Sequence, residues 1–338
     1  MAHHKKTMTE ETNTPGAALH PHANGPARET TALTARAGLT GRLARILVLP
    51  VLLGGGLYAT WAGFAHYGLQ PMVAAMGAVV VFGFAAITLL EQLLPYRKEW
   101  QQGHGDTKVD VLNILVNNGI VEKLLAALLA TALAGSPLWL SSHLGFQPWP
   151  HFWPLWAQLV LMAVISEFFS YWYHYLAHTT PWMWRFHAIH HSPHRLYLWN
   201  APRFHPVDRV ISNLPDMLPF VIVGGDPQLV ALYFTYNAIT GLIQHCNIDL
   251  ELGPLHYVFS AGSLHRWHHS KRIAESDNNF GSNLIVWDLV FGTYFRPKDR
   301  EVGEVGLLNP DYPTSYLGQL AAPFASNDLS KPANYQEG

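Results

Sequence analysis

Residues 153–191 read WPLWAQLVLMAVISEFFSYWYHYLAHTTPWMWRFHAIHH. The stretch opens on an apolar run, Trp153–Tyr173, whose only charge is Glu167. At about 20 residues, such a run is long enough to cross a bilayer as a helix. It ends on His174 and His178, four residues apart and therefore one turn from each other on a single helix face. His187, His190 and His191 follow, and their offsets of three and four again share a face. A spanning helix that delivers five imidazoles to one of its ends points to a membrane protein with metal chemistry at the membrane edge.

Outward from this stretch, segments without Lys or Arg repeat. No Lys or Arg occurs between Arg45 and Arg97, between Lys123 and Arg185, or between Arg209 and Arg266. These gaps hold further apolar runs near Ile46–Phe64, Pro71–Leu94, Ile120–Leu140 and Leu218–Leu242. The last is interrupted by Gly224-Gly225-Asp226-Pro227 and reads as a re-entrant hairpin. The expected fold is therefore an all-α integral membrane protein: about four transmembrane helices, the hairpin, and a histidine-rich helical cap. Arg36, Arg42 and Arg45 precede the first run, Arg97 and Lys98 follow the second, and the links at Ala65–Gln70 and Ser141–Phe152 have neither residue. By the positive-inside rule the N-terminus and the histidine-rich cap are cytoplasmic.

The sequence divides into four parts. Residues 1–39 lack periodicity and read as a disordered tail; residues 40–160 form an N-terminal transmembrane region. Residues 161–297 carry the histidines, and residues 298–338, polar and Pro-containing, read as a surface extension. A formal net charge of -2 excludes a nucleic-acid footprint. The single cysteine, Cys246, excludes an intrachain disulfide, a Cys-based zinc site and an iron–sulfur cluster.

Of 20 histidines, 12 lie between His174 and His269, little more than a quarter of the chain. The pattern H-x-x-H-H occurs twice there, as His187, His190, His191 and as His265, His268, His269, after the H-x-x-x-H of His174 and His178. A tetrahedral zinc takes at most four protein ligands. Eight imidazoles suit two metals with four each, leaving open positions. His245, at the end of the last apolar run, is a further candidate ligand. His205, in R-F-H-P-V-D, is either a ligand or part of a loop turn, with Asp208 placed to orient an imidazole. Glu167 either hydrogen-bonds a ligand histidine or sits in a polar pocket between helices; an ionisable group inside a span is a functional candidate by default. Asn278 and Asn279 could cap a helix or contact the site. The stretch Phe280–Phe295 reads as a structural cap. His194 and His256 are weaker candidates, and His66, His143 and His151 fall on the opposite side of the membrane.

Imidazole suits zinc, copper, nickel and iron. Three classes of function remain open on the residues alone: a redox enzyme, a membrane zinc hydrolase and a metal transporter. In order and spacing, the three histidine boxes resemble those of the fatty acid hydroxylase/sterol desaturase superfamily. The resemblance covers roughly Leu161 to Pro297 and includes R-F-H-P-V-D and W-D-L-V-F-G-T-Y around Trp287. It implies a helical membrane core with a cytosolic histidine-rich cap, a di-iron centre, and O2-dependent hydroxylation or desaturation of a lipid. It also implies ligation from His245; some members add a histidine four positions earlier, where this sequence has Gly241. Box spacing is most similar to bacterial aminolipid (ornithine lipid) hydroxylases and alkylglycerol monooxygenase-like proteins, which implies the bacterial inner membrane. A separate electron-donor protein is the implied partner.

Overall fold

The computed structural model describes residues 39–330. The tail expected over residues 1–39, save its last residue, and residues 331–338 of the expected extension lie outside the described residues. Four helices are long and apolar enough to cross a membrane: α1 (Leu39–His66, crossing from Arg45), α2 (Pro71–Leu93), α3 (Thr107–Ala132) and α5 (Leu155–Thr179). Among the described residues there is no β-strand, only three isolated bridges.

The third span differs from the expected Ile120–Leu140. The helix starts at Thr107, breaks after Ala132, and resumes as a separate short α4 (Ser136–Leu144). Gly135 and Pro137 account for the break, since proline removes a helix hydrogen bond and is tolerated only in a first turn. Asp110, Asn113 and Asn117 do not stop the helix upstream, because each is buried with a partner: Asp110 bonds Arg203 and Tyr197, Asn117 the carbonyls of Pro202 and Phe204, and Asn113 the Val109 carbonyl of its own helix.

The interrupted last run is two helices of nearly equal length. They are α7 (Pro206–Val223) and α8 (Pro227–His245), joined at Gly224 with φ +77°. Positive φ suits glycine, and Asp226 caps the second helix by accepting from the N–H of Gln228 at 2.8 Å. The turn reaches α4, where Ser136 Oγ donates to the carbonyl of Val221 at 3.0 Å. From there α8 runs back along α1 and α2. Thr235 and Thr60 hydroxyls lie 2.8 Å apart, and a Cβ on Gly56 would stand 2.3 Å from Ile239 Cδ1. Small residues at such crossings let helix backbones approach closely.

Four short helices make the histidine-bearing layer at one end: α6 (Pro181–His191), α9 (Gly262–His268), α10 (Ile273–Ser276) and α12 (Tyr316–Ala321), while a further short helix, α11 (Val286–Phe291), packs along α5. Residues beyond 298 are not merely a surface extension. Val302 and Val305 pack with Trp100, Leu196 and Trp267, while Leu307, Tyr312 and Ala322 pack on Ala188 and Ile189. These apolar residues are scattered singly, without a helical or strand period, so the sequence offers no signal for their burial.

Carboxylates on the long helices pin this layer in place. Glu91 on α2 accepts from the N–H groups of Leu198 and Asn247, both at 2.8 Å. Asp110 on α3 accepts from Arg203 Nε at 2.6 Å and from the Tyr197 hydroxyl at 2.6 Å. Glu122 on the same helix pairs with Arg209 at 2.9 Å. Arg195 grips Asp106, just before α3, with two bonds of 3.0 and 2.8 Å. Removing one partner of a buried ion pair costs about 3–5 kcal/mol, because the other charge is stranded.

Candidate metal centre

Nine histidines converge in two groups. His174, His178, His187, His191 and His268 form one; His190, His245, His265 and His269 form the other. Within each group the ligand atoms lie within 4.8 Å of one another. The division is five and four, not the four and four expected from eight box residues. Each H-x-x-H-H box is split between the groups. On α6, His187 and His191, one turn apart, face the first group while His190 faces the second. At α9, His265 and His269, again one turn apart, face the second while His268 faces the first. The groups adjoin, with the rings of His191 and His269 stacked 4.3 Å apart.

Outward-facing nitrogens identify the inner ones. His174 Nδ1 donates to the carbonyl of Phe280 at 2.8 Å, and His268 Nδ1 to that of Asn278 at 2.8 Å. His178 Nδ1 donates to Asp277 Oδ1 at 3.1 Å, and His187 Nδ1 to Asp208 Oδ2 at 3.1 Å. In the other group His190 Nδ1 donates to the carbonyl of Arg203 at 3.3 Å, and His245 Nδ1 to Asn200 Oδ1 at 2.9 Å. The carbonyl and Asn200 oxygens can only accept, and Asp277 and Asp208 accept as carboxylates, so with these partners Nδ1 carries the proton in the neutral ring and Nε2 carries a lone pair.

The Nε2 atoms then face one another. His174 and His187 approach at 3.1 Å, His190 and His245 at 3.3 Å, and His245 and His265 at 3.1 Å. In the first two pairs neither nitrogen has a proton to share. His268 Nε2 is buried with no partner at all. Lone pairs held this close repel unless a cation lies among them, so the donor set fits a metal in each group. The rings are in the protonation state that ligation needs. For His187, His190, His191, His265, His268 and His269, burial holds the imidazole pKa well below its usual value, and neighbouring imidazoles mostly push the same way.

The other predicted residues fall differently. His205 joins neither group: its Nδ1 accepts from the N–H of Val207 at 3.1 Å, capping α7, and its Nε2 donates to the carbonyl of Leu320 at 3.3 Å. Pro206 in the first turn removes one N–H and leaves the next for the imidazole. Asp208 lies next to the site, accepting from His187 and, through its other oxygen, from the Tyr173 hydroxyl. Glu167 accepts from the N–H of Asn283 at 2.8 Å and so holds a loop. Asn278 touches the site through its carbonyl, and Asn279, at φ +55°, ties Leu264 to Phe295 through its amide. His256 is engaged elsewhere, bonded to Ser263 at 2.8 Å. Sequence reasoning missed Asn200 and Asp277, which lie on connecting segments without any periodic signal. A cavity of about 290 Å³ leads to His178 and His191, bordered also by Trp184, Lys271, Asp277 and Leu308.

Comparison with known proteins agrees with this geometry. The fatty acid hydroxylase family model matches residues 159–293, which include all nine histidines. The ornithine lipid hydroxylase OlsE of Rhizobium tropici is 36% identical over 284 residues, covering 82% of this chain and 83% of that protein. Alkylglycerol monooxygenase of Xenopus tropicalis is 30% identical over 51% of this chain and 37% of its own length. Sphinganine C4-monooxygenase 2 of Arabidopsis thaliana is 24% identical over 40% of this chain and 54% of its own. No solved structure matches this chain. With its histidine boxes inside the matched region and a relative similar along most of its length, the chain belongs to the fatty acid hydroxylase family.

Proposed function

We propose that this protein is a membrane-bound oxidoreductase that hydroxylates a lipid at a di-iron centre held by the nine histidines. The observation that carries the reading is the set of facing Nε2 atoms in two adjoining groups, six of them on rings whose Nδ1 is bonded outward, a donor set built for two cations. The named relatives supply the direction of the chemistry: they are hydroxylases and monooxygenases of ornithine lipid, alkylglycerol and sphinganine. An aminolipid such as ornithine lipid is the substrate class this supports best. Two irons bound there would supply oxygen activation against a C–H bond.

The chain's own residues do the rest. Asp208, Asp277, Asn200 and the carbonyls of Phe280, Asn278 and Arg203 orient six of the imidazoles, which keeps them basic toward a metal. Burial of the rings excludes bulk water and its protons. The cavity at His178 and His191 joins apolar Trp184 and Leu308 to Lys271 and Asp277, a lining suited to an amphiphile. One oxygen atom of O2 enters the lipid and the other leaves as water, so each turnover consumes two electrons and two protons. A separate donor protein is the electron source in this reading, since a single cysteine cannot hold an iron–sulfur cluster.

The positive-inside pattern supports a cytoplasmic position for the histidine layer and the N-terminus, where such a donor has access, and the likeness to a bacterial protein supports a bacterial inner membrane. The α7–α8 hairpin enters from that side as the re-entrant element. Mass spectrometry of lipids from cells with and without the gene tests the reading. Lipids gaining one oxygen atom, lost in a His268→Ala variant, are expected. Lipids losing two hydrogens instead would indicate desaturation, and an unchanged profile would reject both.

A further inference from the structure

Apart from the Phe280 carbonyl, which orients His174, residues 280–293 have no role at the histidines, yet they run along α5 in an unusual way. Phe280 begins beside the histidines, its ring 5.3 Å from both Tyr175 and His178. The chain then descends: Trp287 Nε1 donates to the carbonyl of Val164 at 3.3 Å, and its ring lies 4.9 Å from Phe168. It climbs back as α11, with Phe291 5.1 Å from Tyr171 and 5.0 Å from Trp172. Val164 stands ten residues before His174 on α5, roughly 15 Å along the helix axis at 1.5 Å per residue. That is about half the thickness of a bilayer's hydrocarbon core.

We propose that Phe280–Thr293 is a membrane-dipping loop whose Leu289, Val290 and Phe291 rest on acyl chains of the leaflet nearest the histidine layer. Two observations choose lipid as the occupant. First, the exposed apolar residues of α11 adjoin exposed apolar residues of α5: Val290 is 61% exposed, its neighbour Phe291 lies 5.0 Å from Trp172, and Phe169 on the same spanning helix is 51% exposed. Second, the loop's polar backbone is satisfied from within the protein. Asp288, fully buried, accepts from the N–H groups of Phe280 and Gly281 at 2.7 and 2.8 Å and from Thr293 Oγ1 at 2.7 Å. Glu167 takes the N–H of Asn283, and the carbonyl of Val258 takes that of Ile285 at 3.0 Å. Non-helical backbone at membrane depth is tolerated only with such internal partners, whereas a loop in water would use solvent. The same loop ends at Phe280, whose carbonyl orients His174, so membrane contact and the five-histidine group share one segment.

The inference rests on α5 crossing the bilayer, and the test separates the two ideas. In the full chain in lipid nanodiscs, a nitroxide is placed at Val290→Cys and, in a second variant, at Leu289→Cys. Val160→Cys on α5 serves as membrane standard and Asp311→Cys as water standard; native Cys246 is buried and stays unlabelled. Relaxation by O2 relative to a water-soluble nickel chelate is expected to match that at Val160 and to exceed that at Asp311, because no water reaches the bilayer core. Nickel access at both loop sites with Val160 in lipid would overturn the loop assignment alone. Nickel access at Val160 as well would overturn the span and the loop together. Shielding of the loop sites from both reagents would mean a second copy covers them, and would overturn lipid as the occupant.

Discussion

Asp208 offers the sharpest perturbation of the metal reading, because its two oxygens serve two partners. One accepts from His187 Nδ1 at 3.1 Å and the other from the Tyr173 hydroxyl. In Asp208→Asn the amide can turn so that its oxygen still accepts from His187 while its NH2 donates to the Tyr173 oxygen. Geometry survives and only the charge is lost. In Asp208→Ala both partners are stranded, and an unsatisfied buried N–H costs about 1–3 kcal/mol. Loss of such a carboxylate behind a ligand histidine typically weakens metal binding 10–100-fold, about 1.4–2.7 kcal/mol. We therefore expect Asp208→Ala near the upper figure and Asp208→Asn near the lower one. His187 belongs to the five-histidine group alone, so the loss should be confined to that metal. Titration of purified protein in nanodiscs with a competing chelator, followed by metal analysis, reads this directly. The wild type should hold two metals per chain where Asp208→Ala holds about one. If Asp208→Ala kept both while His187→Ala lost one, the carboxylate would not be orienting a ligand. If Asp208→Ala lost both together, the two groups would not be separate sites.

Three further outcomes follow from the same geometry. Glu91→Ala should lower stability by about 2–4 kcal/mol, since it strands the N–H groups of Leu198 and Asn247 away from water; thermal unfolding in a fixed lipid composition measures it, and an unchanged midpoint would contradict the pinning role. His205→Ala should cost about 0.5–2 kcal/mol as a lost cap of α7 yet leave metal content unchanged, with His205→Asn restoring most of the stability; loss of metal in either variant would return His205 to the ligand set. The metal-free protein should be acid-labile. Burial keeps the ring pKa values of His187, His190 and His265 well below 6.5 when folded. The unfolded chain therefore binds more protons below its own pKa, and stability present above about pH 6.5 falls as pH drops below it. A flat unfolding midpoint between about pH 8 and about pH 5 would contradict burial of neutral rings.

Much of the site was legible because histidine spacing is a local property. His174 and His178, or His187 and His191, share a helix face by geometry alone, so convergence at one end of an apolar span follows from residue order. The identity of the two groups was not legible. His190 and His191 are neighbours in sequence but turn to different groups, since adjacent helix positions point about 100° apart and only the crossing of α6 with α8 and α9 decides what each meets. His205 and Asp208 sit three apart and looked like one unit. The fold separates them, because Pro206 starts α7 and commits His205 to capping it.

Residue order alone determined that four long apolar helices exist, that His245 closes the last of the apolar runs, and that imidazoles gather in quantity beside them. Those features depend on composition within a window of about 20 residues, where burial of apolar surface dominates. Only the tertiary structure decided which carboxylates serve the histidines and which serve the scaffold. Glu167 and Asp208 are equally buried, yet one holds the Asn283 loop and the other the His187 imidazole. A buried carboxylate must find donors, and which donors reach it depends on helices far apart in sequence.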